Sequence, residues 1–120
     1  MDLAQEFNAT KPTSVDTLGG IAASPGRFRG RVRVIRAPEQ LARLRAGEVL
    51  VCPETSSAWM MVFRRAGALV TDHGSTLSHS AIVAREFGLP AIVATKNATS
   101  TLRDGEEVIV DGSRGTMTRC

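Results

Sequence analysis

The sequence predicts one α/β domain: a mixed central sheet flanked by short helices, with a C-terminal hairpin. Three observations point there. Short apolar runs of strand length (residues 48–52, 68–71 and 91–94) alternate with segments carrying apolar residues at helical spacing. The 120 residues are 42% hydrophobic but include four Phe, one Trp and no Tyr, so the core is Val, Ile, Leu and Ala. Asp111-Gly112, between residues 106–110 and 115–118, is a strong hairpin turn signal.

Residues 1–18 hold scattered apolar side chains without a period, interrupted by Thr, Ser, Asn and Pro12, and are expected to form a flexible N-terminal arm. The domain then runs from 19 to 120. Gly19 to Gly26 form a turn-rich lead-in ending in Pro25-Gly26. In residues 27–35, Arg27, Arg29, Arg31 and Arg33 lie two apart and share one face of a strand, while Phe28, Val32 and Val34 share the other. Such a stripe is either a solvated face or a docking surface for an acidic partner. Residues 38–47 suit a short helix, with Pro38 in the first turn, Gly47 at the exit, and Leu41 and Leu44 facing the core. A buried strand (48–52) follows, then a linker and a helix near 58–65 with Thr55 or Ser57 as its cap. Strand 68–71 leads into the polar loop 72–78 and a helix that Gly88-Leu89-Pro90 terminates. After strand 91–94, residues 95–101 are a polar connection to the hairpin.

Composition excludes several classes. The formal net charge of +3 permits a phosphorylated or acidic partner without demanding one. Few aromatics, none interleaved with the arginines, argue against a nucleic-acid groove. Two cysteines, Cys52 in an apolar run and Cys120 at the last position, make no disulfide framework. No apolar run is long enough for a membrane-spanning helix and no secretion signal is present, so a cytoplasmic setting is expected.

Function concentrates at His79. Loop 72–78 delivers this imidazole to a helix start, where backbone N–H groups lack intrahelical acceptors and the dipole end is positive. Gly74 lets a ligand approach the main chain, and Ser75, Thr76 and Ser78 add hydroxyls, together a plausible phosphate cradle. A neutral imidazole there is a suitable nucleophile. The plainer alternative is a histidine used only for hydrogen bonding at a helix start. Asp72, His73 and His79 match no strong metal-ligand spacing, so no metal site is assigned. A triad of Ser75 or Ser78 with His79 and Asp72 lacks a nucleophile elbow. His73 is either an exposed loop residue or a second donor beside His79. No nucleotide-binding glycine loop occurs, so a phosphoryl donor site must lie elsewhere.

The stretch from Thr71-Asp72 through Ser78-His79, Ala81-Ile82-Val83-Ala84-Arg85-Glu86 and Gly88-Leu89-Pro90 resembles the swivelling phosphohistidine domain of phosphoenolpyruvate-utilising enzymes. Ser24-Pro25-Gly26, Thr55 with Trp59, and Val110-Asp111-Gly112 extend the likeness over about 18–118. Two positions depart from the family pattern: Ser75 replaces a second glycine, and Ser57 replaces a proline. The resemblance implies that His79 is phosphorylated, that Thr71, Gly74 and Ser78 shape the phosphate environment, and that Arg85 anchors the helix through an ion pair. It implies a phosphocarrier, a component of a split dikinase or phosphotransferase. The alternative is a binding module of the same fold that has lost phosphotransfer. No cofactor is expected on this domain alone. ATP or phosphoenolpyruvate with Mg²⁺, and the small-molecule acceptor, are expected on a partner protein acting in trans, with no membrane or nucleic acid involved.

Overall fold

The structure is a computed structural model and describes residues 17–120. Eight strands are present among them: β1 (Thr17–Gly19), β2 (Ile21–Ser24), β3 (Arg27–Val34), β4 (Val49–Cys52), β5 (Ala68–Thr71), β6 (Ala91–Val93), β7 (Glu107–Asp111) and β8 (Thr116–Arg119). Two α-helices accompany them, α1 (His79–Phe87) and the single turn α2 (Ala98–Thr101). The sheet order is β1-β8-β7-β3-β4-β5-β6-β2. Strands β3 to β6 run parallel, while β1, β8, β7 and β3 pair antiparallel and β2 closes the far edge antiparallel to β6. The expected mixed sheet, short helices and C-terminal hairpin are therefore all present.

The two edge strands are separated in sequence by Gly20 alone, so the sheet curls until its edges approach. Gly20 donates to the Gly115 carbonyl oxygen at 2.9 Å, and Gly112 donates to that of Gly26 at 2.8 Å, seating the β7–β8 turn against β2. A side chain at Gly112 would collide with the Ser24 carbonyl and the Ala91 amide. Curling leaves the parallel strands buried on both faces, which is why they read as continuous apolar runs. Leu50, Cys52, Leu69 and Val93 pack with Trp59, Val62, Phe63 and α1 on one side. Val49, Val51, Val70 and Ile92 pack with Ala98, Leu102 and the antiparallel half on the other. The buried position of Cys52 pushes its thiol well above the ordinary range, so it behaves as a small hydrophobe.

Several expectations need correction. Residues 1–16 of the expected arm lie outside the described residues, but Thr17 and Leu18 begin β1, paired with Thr118 and Met117. The lead-in contains β2 rather than turns alone, because it has the β6 edge to pair with. The expected helices at 38–47 and 58–65 are 3-10 turns at Pro38–Arg43 and Ser57–Val62. Each offers too few anchoring side chains for a stable α-helix. Trp59 and Val62, three apart, fall on one side of a three-residue turn. Residues 95–101 include α2, which has no apolar period and forms on a tertiary contact described below.

The arginine stripe is partly consumed within the fold. Arg33 makes a two-pronged bond to Glu48, Nε to Oε1 at 3.1 Å and Nη2 to Oε2 at 2.9 Å, and Arg29 pairs with Glu107 at 2.7 Å. Arg33 is half-buried and Glu48 is buried, which makes theirs the more consequential pair. The Arg33 hydrogen bond holds the Glu48 carboxyl below its ordinary value of 4.5 despite the opposing cost of burial. The stabilisation is therefore complete above pH 4.5 and lost as pH falls through the depressed folded value. Glu48→Gln is expected to cost about 1–3 kcal/mol at neutral pH and to flatten the acid limb of stability, as read from urea midpoints across the acid range.

Candidate active site

Strands β4 and β5 end side by side, and the segments leaving them are tied together. Asp72 N–H bonds the Cys52 carbonyl oxygen at 3.1 Å, and His73 N–H that of Pro53 at 3.0 Å. The Thr71 carbonyl accepts both the Thr95 N–H at 3.1 Å and its hydroxyl at 2.9 Å. The buried Asp72 carboxylate takes the Thr99 N–H at 2.9 Å and the Thr99 hydroxyl at 2.6 Å. This carboxylate, 27 positions away, is what α2 is built on. Ala94 and Lys96, at φ 60° and 79°, bend the chain between β6 and α2.

From that base the loop rises to α1. The Thr71 hydroxyl donates to the His73 carbonyl oxygen at 2.6 Å. Gly74 adopts φ 134°, and a Cβ there would lie 3.0 Å from Ser78 Oγ and 3.2 Å from Val93 Cβ. Ser78 Oγ donates to the Ser75 carbonyl oxygen at 2.8 Å, and Ser75 Oγ accepts the Leu77 N–H at 3.2 Å. Arg85 reaches back along α1 and donates to the carbonyl oxygens of Thr76 (2.7 Å) and Ala23 (2.8 Å), so it anchors the loop through carbonyls rather than the expected ion pair. Gly88, at φ 69°, closes the helix, and its N–H bonds the carbonyls of Ala84 and Arg85.

His79 is the first residue of α1 and half-buried. The capping position belongs to Ser78, whose side chain makes no cap bond. The first helical hydrogen bond is taken by Ile82 N–H to the Ser78 carbonyl oxygen, leaving the N–H groups of His79, Ser80 and Ala81 without a protein acceptor among the described residues. The His79 ring lies against Phe63, centroids 6.4 Å apart, and Phe63 stacks on Phe87 at 5.9 Å. His79 Nδ1 is 3.0 Å from Thr55 Oγ1, which is 2.7 Å from Ser80 Oγ. Among the described residues Nε2 has no protein partner.

Thr55 was expected as a helix cap. Its hydroxyl instead turns inward to the imidazole, and the 3-10 turn that follows begins after Ser56 without a side-chain cap. The sequence marked Thr55 as a cap candidate and, with Trp59, as part of the resemblance, and neither signal pointed to the imidazole. Asp72 grips Thr99 and takes no part in orienting His79, so the Ser/His/Asp arrangement does not assemble. His73 is exposed in the loop, as are Ser75 and Thr76. Leu77 and Ile82, two residues before and three after His79, are exposed, Leu77 81% so.

Residues 44–115, more than half of the chain, match the family described as PEP-utilising enzyme, mobile domain. The chain belongs to that family. It is 48% identical over 99 residues to an uncharacterised phosphotransferase, YvkC, of Bacillus subtilis, covering 82% of this chain and 12% of that protein. The same identity and coverages hold for a phosphoenolpyruvate synthase of Aeropyrum pernix. The chain is 45% identical over 109 residues to the prodigiosin synthesizing transferase PigC of Serratia marcescens, covering 90% of this chain and 12% of that one. It thus spans about an eighth of the length of these relatives. Among solved structures, Enzyme I is similar at 31% identity and a TM-score of 0.57, over 66% of this chain and 33% of that one. The aconitase X of Thermococcus kodakaraensis shares the fold at 20% identity, with a TM-score of 0.66 over 87% and 98% of the chains.

The loop geometry depends on Gly74. Gly74→Ala is expected to lower stability by about 1–3 kcal/mol and to broaden or shift the amide resonances of residues 73–80, leaving the β7–β8 hairpin unchanged.

Proposed function

We propose that this domain is a phosphocarrier. His79 Nε2 accepts a phosphoryl group at a donor site on a partner, holding ATP or phosphoenolpyruvate with Mg²⁺, and hands it on to an acceptor held by a partner. The observation that carries this reading is the division of labour in the ring: Nδ1 is tethered to a buried hydroxyl pair, while Nε2 has no partner among the described residues, and the helix it sits on begins with N–H groups that lack an acceptor among them. Membership of the mobile-domain family supports it.

The hydroxyls set the ring's resting state. Thr55 Oγ1 lies within hydrogen-bond distance of both His79 Nδ1 and Ser80 Oγ, and can accept from Nδ1–H while donating to Ser80 Oγ. That arrangement keeps the ring proton on Nδ1 and leaves the in-plane lone pair of Nε2 free, the tautomer in which Nε2 is the nucleophile. The Nε2 lone pair forms the N–P bond as the P–O bond of the donor breaks, and the departing oxygen leaves with that bond's electron pair. The ring proton stays on Nδ1, held by Thr55. The phosphoryl oxygens then lie near the N–H groups at the start of α1, whose dipole favours the negative charge. Gly74, Ser75, Thr76 and Ser78 give the loop its shape, and Thr71 and Asp72 hold its base. His73 remains available as a second donor.

A mobile body that carries the group between a donor site and an acceptor site keeps a labile intermediate from free solution. The carrier reading is tested by incubating the protein with candidate donor proteins and radiolabelled ATP or phosphoenolpyruvate. Acid-labile, base-stable label on His79 is expected, absent from His79→Ala. A donor-competent mixture that never labels His79, or a His79→Ala variant that sustains the complete reaction, overturns it. Thr55→Val is expected to slow labelling roughly tenfold or more and to release the ring from its fixed tautomer in ¹⁵N spectra, while Thr55→Ser retains both.

A further inference from the structure

A second polar pocket opens away from the imidazole, where the end of β3, the first 3-10 turn and α2 meet. Its volume is about 320 Å³, and its polar walls are Arg36, Gln40, Arg43, Thr99, Arg103 and Asp104. Three arginines and one carboxylate thus line it. That carboxylate is already shared: Asp104 accepts the Val34 N–H at 2.7 Å, pairs with Arg43, and lies 3.6 Å from Arg33. Arg36 Nη2 donates to the Thr99 carbonyl oxygen at 2.7 Å, and Arg43 Nη1 to that of Val34 at 2.9 Å. Each arginine has five N–H donors, so both retain unused ones. The Arg103 side chain has no partner among the described residues. Gln40 Oε1 accepts the Arg36 N–H at 2.8 Å, which leaves its amide NH₂ to donate.

Donors therefore greatly outnumber acceptors in a cavity of small-molecule size. A tetrahedral oxyanion, with several acceptor atoms and two negative charges, answers that imbalance in charge and in hydrogen bonding. We propose that this pocket binds the phosphate group of a small phosphorylated molecule, as a site separate from His79. Its buried floor residue, Thr99, is the residue whose N–H and hydroxyl grip Asp72 at the base of the His79 loop. The bound anion therefore rests against the anchor of that loop.

The test is a titration of the ¹⁵N-labelled 120-residue chain with inorganic phosphate and with glycerol 3-phosphate, followed by amide shifts, against sodium chloride at matched ionic strength. The expected result is a saturable shift at Arg36, Thr99, Leu102 and Arg103, tighter for glycerol 3-phosphate. Binding weakens at least fivefold in Arg103→Ala, whose partnerless side chain can be removed without loss of fold, and is unchanged in His79→Ala. Shifts confined to residues 74–80, shifts reproduced by chloride, or the absence of saturation would each overturn the proposal. Because His79→Ala keeps this site, the result stands apart from the outcome of the labelling experiment.

Discussion

Backbone groups at the ends of buried strands have to be paired, and the rest of this site follows from that constraint. Strands β4 and β5 are inaccessible on both faces, so their exits cannot rely on water. The Thr71 carbonyl is satisfied by Thr95, the Asp72 and His73 amides by the carbonyls of Cys52 and Pro53, and the Asp72 carbonyl by Lys96 N–H. The Asp72 side chain then organises α2. This cross-bracing makes the base of the loop part of the core. The loop above it can be polar and exposed yet hold a single shape.

On that base the imidazole is oriented from two directions. Phe63 fixes the ring through packing, and Thr55 with Ser80 fixes it through hydrogen bonds. Both hydroxyls are buried, and the pair holds the ring through Nδ1. The other nitrogen has no partner among the described residues. The fold thus places the imidazole after the carboxyl end of a parallel strand, where α/β sheets generally present their ligands. Leu77 and Ile82, near His79 in sequence, are exposed.

Much of this was legible in the residues. The buried strands were visible as apolar runs, the terminal hairpin through Asp111-Gly112, and α1 through its apolar spacing and the Gly88-Leu89-Pro90 stop. The end strands β1 and β2 were not, because their pairing comes from the meeting of two sheet edges rather than from any period of their own. The 3-10 turns were read as helices because proline and leucine spacing cannot tell one short helical turn from another. Arg85 was read as an ion-paired anchor, since a charge suggests a charge, yet its partners are two carbonyls that the chain brings to it.

The sequence by itself determined that this is an α/β domain with one prominent histidine at a helix start, in a polar loop that follows a buried strand. Those properties are local: periodicity, turn residues and the chemistry of adjacent side chains. Only the tertiary structure decided which nitrogen of His79 is tethered, because Thr55 lies 24 positions away and its hydroxyl had an equally reasonable local use as a cap. It also decided that Asp72 serves α2 rather than the imidazole. A side chain's hydrogen-bond partner is chosen by proximity and burial in three dimensions, and neither is written in the order of residues along the chain.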